Sequence, residues 1–404
     1  MMYRNNQRIL KGRKQQKATH PLEGQAFVGV VKDVAPNGSA VIEHASGVAV
    51  FVAGAWVGET VRVKIDQFKK RYAVGTLLEV VNACAERVTS PCQHFNAEPS
   101  CGGCLWQFVD YGAQVAIKQL WVERQFGRFT NCVVAPIKGS EAVWHYRNRA
   151  EFKSDGKRVG FLAAQSNHLI DVVSCSVLND GVASHLQRLR ATLPNPAWRS
   201  QNKKHSNMTL LAVDDDLELG SVTPNARRPF KQANDGQNQV LKQWLGDVLA
   251  NDDKGGKVLE LFCGSGNFTK ALCTMGYKEV VAAEVAEMAV KALSDQKLDG
   301  VSAVQANLFD AQALDQLCDQ HLDAKTLVLD PPRDGLVCIE PLLKHKGIER
   351  IAYISCDLNT CANDVEQFVS AGYTVETIQP VDMFPHTPHI ELCVLLQRKN
   401  EASG

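Results

Sequence analysis

The sequence predicts a multidomain protein: a small N-terminal β-barrel of the oligonucleotide-binding (OB) type, a central α+β domain carrying a group of cysteines, and a C-terminal α/β domain of Rossmann-like design. Three observations predict it. Residues 21–80 hold five short β-branched stretches separated by turn signals, the rhythm of a small barrel or sandwich. Cys84, Cys92, Cys101 and Cys104 crowd the loop that follows. From about residue 240, apolar strands alternate with helical segments, which predicts a doubly wound sheet with parallel strands.

Composition bounds the rest. The 404 residues suit two or three domains. Apolar residues at 45% and charged residues at 22% are ordinary globular usage. Lys plus Arg and Asp plus Glu are equal at 44 each, which excludes nucleic-acid binding by bulk charge alone. The distribution is uneven, because residues 1–20 carry Arg4, Arg8, Lys11, Arg13, Lys14 and Lys17 and no acid. No stretch of 18 uncharged apolar residues occurs, so no membrane span is expected. The basic start has no apolar run behind it and does not read as a secretory signal. With 13 cysteines and no export signal, clustered thiols point to metal before disulfides. The expected compartment is the cytoplasm, and the expected state a monomer.

Taken in order, residues 1–20 form a basic arm, either a solvated terminus or a transient phosphate contact. The barrel covers 21–80, from FVGVVKDV through SAVIEH, VAVFVAG and ETVRVKIDQF to YAVGTLLEVV. Lys69, Lys70 and Arg71 between Phe68 and Tyr72 suit an RNA-facing surface, with a solvated strand end as the plain alternative. The central domain spans 81–215. Val109, Ala113, Ala116, Ile117, Leu120 and Trp121 have helical spacing, which predicts a helix over about 108–126. Strand character returns over 141–180, a helix is expected over 183–195, and 197–208 reads as a polar loop. The last domain spans 216–404, with strands VLELF, VVAAEV, SAVQA, TLVLD, RIAYIS and CVLLQ.

Five constellations carry chemistry. In VLELFCGSGNF a strand runs into a glycine turn and a helix, whose N-terminus offers unpaired N–H groups. Glu284 lies twenty residues after Gly264, placed to accept from a ribose diol. With no third glycine, this turn favours S-adenosylmethionine over a dinucleotide. Asp330-Pro331-Pro332-Arg333 closes the fourth strand at the edge where open parallel sheets bind ligands. Arg333 stands where amino-group methylases often place an aromatic residue, which argues against methylation of an exocyclic amine. Cys356, again at a strand end, is a nucleophile only in a setting that lowers its pKa, and inert packing is the alternative. Asp382, His386, His389 and Glu391 put four proton-handling side chains into ten residues. Cys92, Cys101, Cys104 and the distant Cys175 suit zinc or an iron–sulfur cluster, with Cys84 a rival ligand.

In this order the motifs resemble the bacterial RNA uracil-C5 methyltransferases, closest to the RumA/RlmD type that acts on 23S ribosomal RNA. The resemblance runs over nearly the whole chain: AWVGETV as in a TRAM barrel, the cysteines, YRNRAEF, FKQAN, LFCGSGNFT, DPPR, the Ser355–Cys356 loop and HTPHIE. It implies a class I methyltransferase domain using S-adenosylmethionine. Cys356 is then the nucleophile and Glu391 the general base. Gln232, Phe262, Asn267, Glu284, Asn307 and Asp330 fall where the family binds the cofactor or the target base. Cys92, Cys101, Cys104 and Cys175 fall on the ligands of a [4Fe–4S] cluster, and Cys84 falls outside that set.

Two departures stand out. Eight residues separate Cys92 from Cys101, a longer gap than usual for this subfamily. SCDLNTCAND replaces the family's S-C-N-P-x-T-x-A-R-D, so Asp357, Leu358 and Asn363 stand for Asn, Pro and Arg. The implied product is 5-methyluridine in 23S ribosomal RNA, formed through a covalent bond from Cys356 to uracil C6. The rivals are another ribosomal uridine, transfer RNA, and an RNA-binding iron–sulfur protein whose methyltransferase domain has decayed. A zinc site is the runner-up for the cysteines.

Overall fold

The computed structural model describes residues 20–129, 132–164, 166–199 and 208–399. The basic arm, up to residue 19, and most of the polar loop expected over 197–208 lie outside them. Two units separate: one runs to Ala35 and includes Ser39–Ala85, and the other comprises Pro36–Gly38 and everything from Glu86.

The first unit is a closed barrel of five strands: β1 (Ala26–Val34), β2 (Ala40–Glu43), β3 (Ala49–Val52), β4 (Thr60–Phe68) and β5 (Ala73–Asn82), in the order β1-β2-β3-β5-β4. All five expected strands are present. Period-two patterning drives closure. In β4, Val61, Val63 and Ile65 point inward, while Arg62, Lys64 and Asp66 face out. The AWVGETV turn is tied by Glu59, wholly buried, which accepts the Trp56 N–H at 2.8 Å. Lys69, Lys70 and Arg71 sit exposed in the turn between β4 and β5.

The second unit opens with α1 (Tyr111–Phe126), followed by β6 (Val133–Val134), β7 (Arg149–Ser154), β8 (Val159–Leu162), β9 (Leu169–Asp171), α2 (Asp180–Ala191) and β10 (Thr209–Asp214). Strands β10-β7-β8-β9 form an antiparallel sheet, with Val182, Leu186 and Leu189 of α2 in its core. Then come α3 (Asp235–Val248), β11 (Lys257–Leu261), α4 (Asn267–Thr274), β12 (Glu279–Glu284), α5 (Glu287–Ser294), β13 (Val301–Gln305), α6 (Ala311–Gln320), β14 (Ala324–Leu329), α7 (Glu340–Lys344), β15 (Arg350–Ser355), α8 (Leu358–Ser370), β16 (Tyr373–Val381) and β17 (Glu391–Arg398). The large sheet has the order β13-β12-β11-β14-β15-β17-β16-β6. Its inner strands are buried apolar runs, as a sheet covered on both faces requires.

The all-parallel expectation needs correction. Strands β11 to β15 are parallel, but β17 runs antiparallel to both β15 and β16. Nine residues, 382–390, link β16 to β17, and a parallel return needs a crossover of about a dozen or more. The patterning of YTVETIQPV, in which polar residues interrupt the apolar run, hid β16.

This short connection is pinned from one side. Lys118, on the inner face of α1, pairs with Asp382 at 2.6 Å, and both side chains are 0% exposed. The Tyr111 hydroxyl donates to the same carboxylate at 2.8 Å. At His386 the backbone N–H donates to Gln114 at 2.8 Å, and the carbonyl accepts from Leu105 and Trp106 at 2.9 and 3.0 Å. Its ring stacks on Trp144 at 3.9 Å, with φ at +65°. Removing one partner of a buried ion pair leaves an uncompensated charge. Lys118→Met is therefore expected to cost about 3–5 kcal/mol in urea unfolding, and Lys118→Met with Asp382→Leu to recover most of that loss.

Candidate active site

The strands of the large sheet end on one edge, and the functional side chains collect there. After β11, Phe262, Gly264 and Gly266 adopt positive φ of 62°, 54° and 94°. A Cβ on Gly266 would lie 2.6 Å from Leu293, so the turn can pass this close only as glycine. The turn delivers Asn267 to the first position of α4. Gln232, Phe262, Asn267 and Asp330 line one pocket of about 400 Å³ with the glycine turn as its floor. Asn267 is held by a reciprocal amide pair with Asn238 at 2.9 and 3.0 Å.

The other two expected cofactor residues stand just outside this lining. Glu284 ends β12, accepting the Gly264 N–H at 3.2 Å and those of Val285 and Ala286 at 2.8 and 2.9 Å. It thus ties the tips of β11 and β12 together. Asn307 is exposed beyond β13 and accepts the Phe309 N–H at 3.2 Å. The Phe309 ring lies edge-on to Phe262 at 5.8 Å. A pocket with backbone N–H donors, an aromatic wall and acids at strand ends fits an adenosine-bearing cofactor.

Cys356 lines a second pocket of about 360 Å³ with Arg333, Asp357 and His389, walled by Trp121, Pro388 and residues 36–37 of the same unit. Glu391 is 5% exposed at the start of β17, opposite Val381. Ser355, just before Cys356, pairs with Leu392, just after Glu391. Nucleophile and base candidates are thus carried on adjacent antiparallel strands. In the altered loop Asp357 caps α8, accepting the N–H groups of Asn359 and Thr360 at 3.0 Å each. Asp364 accepts the Leu336 N–H at 3.0 Å and the Tyr353 hydroxyl at 2.6 Å, which ties α8 to the loop after Arg333.

The electrostatics are those of a proton-rich site. Burial, the Glu391 carboxylate and Asp330 push the Cys356 thiol up to about 12, opposed by Arg333. No low-pKa setting for Cys356 exists in the unliganded protein, contrary to what nucleophilic attack requires of it. Burial, then Asp330, pushes Glu391 up to about 8, again opposed by Arg333. Burial raises Asp330 to about 7. Burial also raises Glu260 to about 8, against the Thr269 hydroxyl that donates to it at 2.6 Å. Arg333 and Glu260 went unassigned in the sequence. The signal for Glu260 is an acid inside an apolar strand. Arg333 emerges as the cation facing both Cys356 and Glu391. Burial pushes His386 down to about 4, and its ring is stacked on Trp144.

The cysteines gather less tightly. The Cys104 thiol is pushed up to about 12 by burial and by the charges of Cys175, Cys101 and Cys92. Cys175 is raised to about 11 by burial, Cys92 and Cys101. Four thiols therefore share one neighbourhood, yet among the described residues no three metal-binding side chains are set at ligating positions. Cys84 lies in the first unit and donates to Glu59 at 3.7 Å. A cavity of about 1170 Å³ between residues 137–146 and α3–α4 contains none of the expected site residues. Among the described residues no helix is long and apolar enough to cross a membrane.

Comparison with known proteins decides the family. A family model described as tRNA (uracil-5-)-methyltransferase matches residues 201–399. An RlmD of Halomonas elongata, a 23S rRNA (uracil(1939)-C(5))-methyltransferase, is 31% identical over 92% of this chain and 90% of its own. The chain belongs to the RNA uracil-C5 methyltransferase family, of the RumA/RlmD type. Another relative, an uncharacterized RNA methyltransferase of Nitrosomonas europaea, is 33% identical over 93% of this chain and 97% of its own. The fold also matches the Pyrococcus abyssi tRNA (uracil-54, C5)-methyltransferase, solved with S-adenosyl-L-homocysteine. That match has a TM-score of 0.67 at 20% identity and covers 92% of this chain and all of the other.

The raised carboxyls predict a pH dependence. Folded Glu260, Asp330 and Glu391 hold protons up to about 8, 7 and 8, whereas ordinary carboxyls release them near 4.5 or 3.8. The folded state binds more protons across that window, so this stabilisation is complete below it and is lost as pH rises through 7 and 8. The melting temperature of ligand-free protein should fall from pH 5.5 to 8.5, and Glu260→Gln should flatten the fall.

Proposed function

We propose that this methyltransferase forms 5-methyluridine in 23S ribosomal RNA through a covalent adduct between Cys356 and uracil C6. The observation that carries the reading is the placement of Cys356 and Glu391 on paired strands beside the cofactor pocket. The higher sequence identity to an RlmD, 31% against 20% for the tRNA enzyme, supports ribosomal RNA over transfer RNA. The cap supplied by Asp357 supports an active domain over a decayed one.

Uracil C5 is too weak a nucleophile to take a methyl group unaided. Once the Cys356 thiol has lost its proton to solvent, the thiolate adds to C6 and pushes the C5=C6 pair into the C4 carbonyl, and the resulting enolate is nucleophilic at C5. S-adenosylmethionine supplies an electrophilic methyl group, and its sulfonium charge favours the ionised forms of the acids around it. Glu391 then takes the C5 proton, the C5=C6 bond re-forms and Cys356 leaves. A positioned base of this kind contributes about 10²–10⁴-fold. Arg333 offsets the negative charge that Cys356 and Glu391 must carry. Gln232, Phe262, Asn267, Glu284, Asn307 and Asp330 hold the cofactor and the target base, and the uridine leaves its stack to arrive. The barrel, with Lys69–Arg71, and the basic arm contact the surrounding RNA.

Cys92, Cys101, Cys104 and Cys175 hold a [4Fe–4S] cluster in this reading. The donor set suits it, being four thiols in one neighbourhood, of which burial raises Cys101, Cys104 and Cys175. The cluster would tie the 92–104 loop to the segment at Cys175, and no reaction step passes through it. Anaerobically purified protein should be brown with about four irons per chain. Colourless protein loaded with zinc would remove the cluster and leave the methyltransferase reading intact.

The two catalytic assignments fail at different stages. Cys356→Ala should bind RNA and cofactor but transfer nothing. Glu391→Gln should transfer the methyl group and stall, leaving a denaturation-resistant band of protein, RNA and label from radioactive cofactor. Methyl transfer by Cys356→Ala at near wild-type rate would end the covalent mechanism.

A further inference from the structure

Two lysines stand where the cofactor pocket meets the larger cavity beside it. Lys242 on α3 and Lys270 on α4 line both the pocket of about 400 Å³ and the cavity of about 1170 Å³, so they belong to the wall the two spaces share. Their place follows from the helices that carry them. The amide pair of Asn238 and Asn267 clasps α3 to α4. Lys242 comes four residues after Asn238 and Lys270 three after Asn267, one helical turn in each case. Helical side chains lean toward the N-terminus, and both helices begin at this clasp. The two ammonium groups are therefore carried back toward the cofactor pocket, one from each helix.

Neither charge is neutralised. Among the described residues, no ion pair or side-chain hydrogen bond engages Lys242 or Lys270, whose neighbour is the other lysine. Burial and the charge of Lys270 disfavour the Lys242 ammonium, and Asp235 favours it from the start of α3. The Asp235 carboxylate is already engaged, accepting the Asn148 side-chain N–H at 2.7 Å. The lining of the cavity adds Lys138 as a third cation and Glu141 as a second acid, both exposed.

We propose that Lys242 and Lys270 bind backbone phosphates of the substrate RNA, drawing the strand next to the target uridine into the cavity between α3 and α4. The inference deepens the ribosomal RNA reading and rests on it.

The ligand is a polyanion because of where the lysines stand. A cofactor carboxylate is one compact charge and would lie in the smaller pocket alone. Lys242 and Lys270 face both spaces, and a chain of phosphates can pass from one to the other while meeting both. Gln239 and Gln243, exposed on α3 at the cavity, supply amide groups of the kind that meet phosphate and sugar. Such contacts fix the register of the strand and carry no sequence information. An anion placed between the lysines also removes their repulsion.

The test measures affinity for a 23S ribosomal RNA transcript across a salt series, with the full chain and no cofactor. Each single-strand phosphate contact contributes about 0.7 to the slope of log affinity against log salt. The double variant Lys242→Gln with Lys270→Gln should bind more weakly and lose about 1.4 of that slope. Lys242→Arg with Lys270→Arg should keep it, since either cation meets a phosphate. Calorimetric affinity for S-adenosylhomocysteine should be the same in all three proteins. An unchanged salt slope in the glutamine variant overturns the inference and makes the pair a solvated helix face. A fall in S-adenosylhomocysteine affinity, with or without one in RNA affinity, assigns the lysines to the cofactor carboxylate and overturns it as well. If the wild-type protein does not bind the transcript, the ribosomal RNA reading has failed, and this inference with it.

Discussion

A buried charge pair holds this active site in register. Lys118 and Asp382 meet at 2.6 Å with no solvent contact, joining α1 to the connection between β16 and β17. Asp382 directly follows Val381, the cross-strand partner of Glu391. The contacts around His386 clamp the same connection at its middle. Burying two charges is a poor route to stability, since well-packed apolar residues often do as well. What the pair provides is direction. A nine-residue connection with proline at 385 and 388 has many compact paths, and a misplaced path would leave a buried ion without its partner.

The second theme is surplus acidity. Glu260, Asp330 and Glu391 all end in or near the same edge of the sheet, with Cys356 beside them. Burial raises each of these carboxyls, with Asp330 adding to it at Glu260 and Glu391, and Arg333 is the cation that opposes this at both Cys356 and Glu391. Such a site is quiet when empty. A thiol near 12 is protected from adventitious chemistry, because the thiolate is the reactive form, and ligand charge is then the natural trigger for its ionisation.

The departures from the family pattern are absorbed locally. Asp357, in place of the family's asparagine, caps α8 through two N–H groups, and Leu358, in place of its proline, begins the helix. The retained Asp364 fastens α8 to Leu336 and Tyr353.

Much of this molecule is legible in one dimension. Alternating β4, glycines at 264 and 266, the apolar strands and the order of the motifs are local statements, and local statements survive folding. They determined the barrel, the glycine turn and the family resemblance, and through it put forward Cys356 and Glu391 as candidates. They missed the direction of β17, because strand patterning records which faces are buried and not which way a neighbour runs. They also read His386 and His389 as equals. Only tertiary packing separates them: His386 is stacked and clamped, while His389 opens into the pocket against Arg333. Protonation lies equally beyond the sequence, since the thiol of Cys356 and the carboxyl of Glu391 take their acidity from burial and from charges far away along the chain.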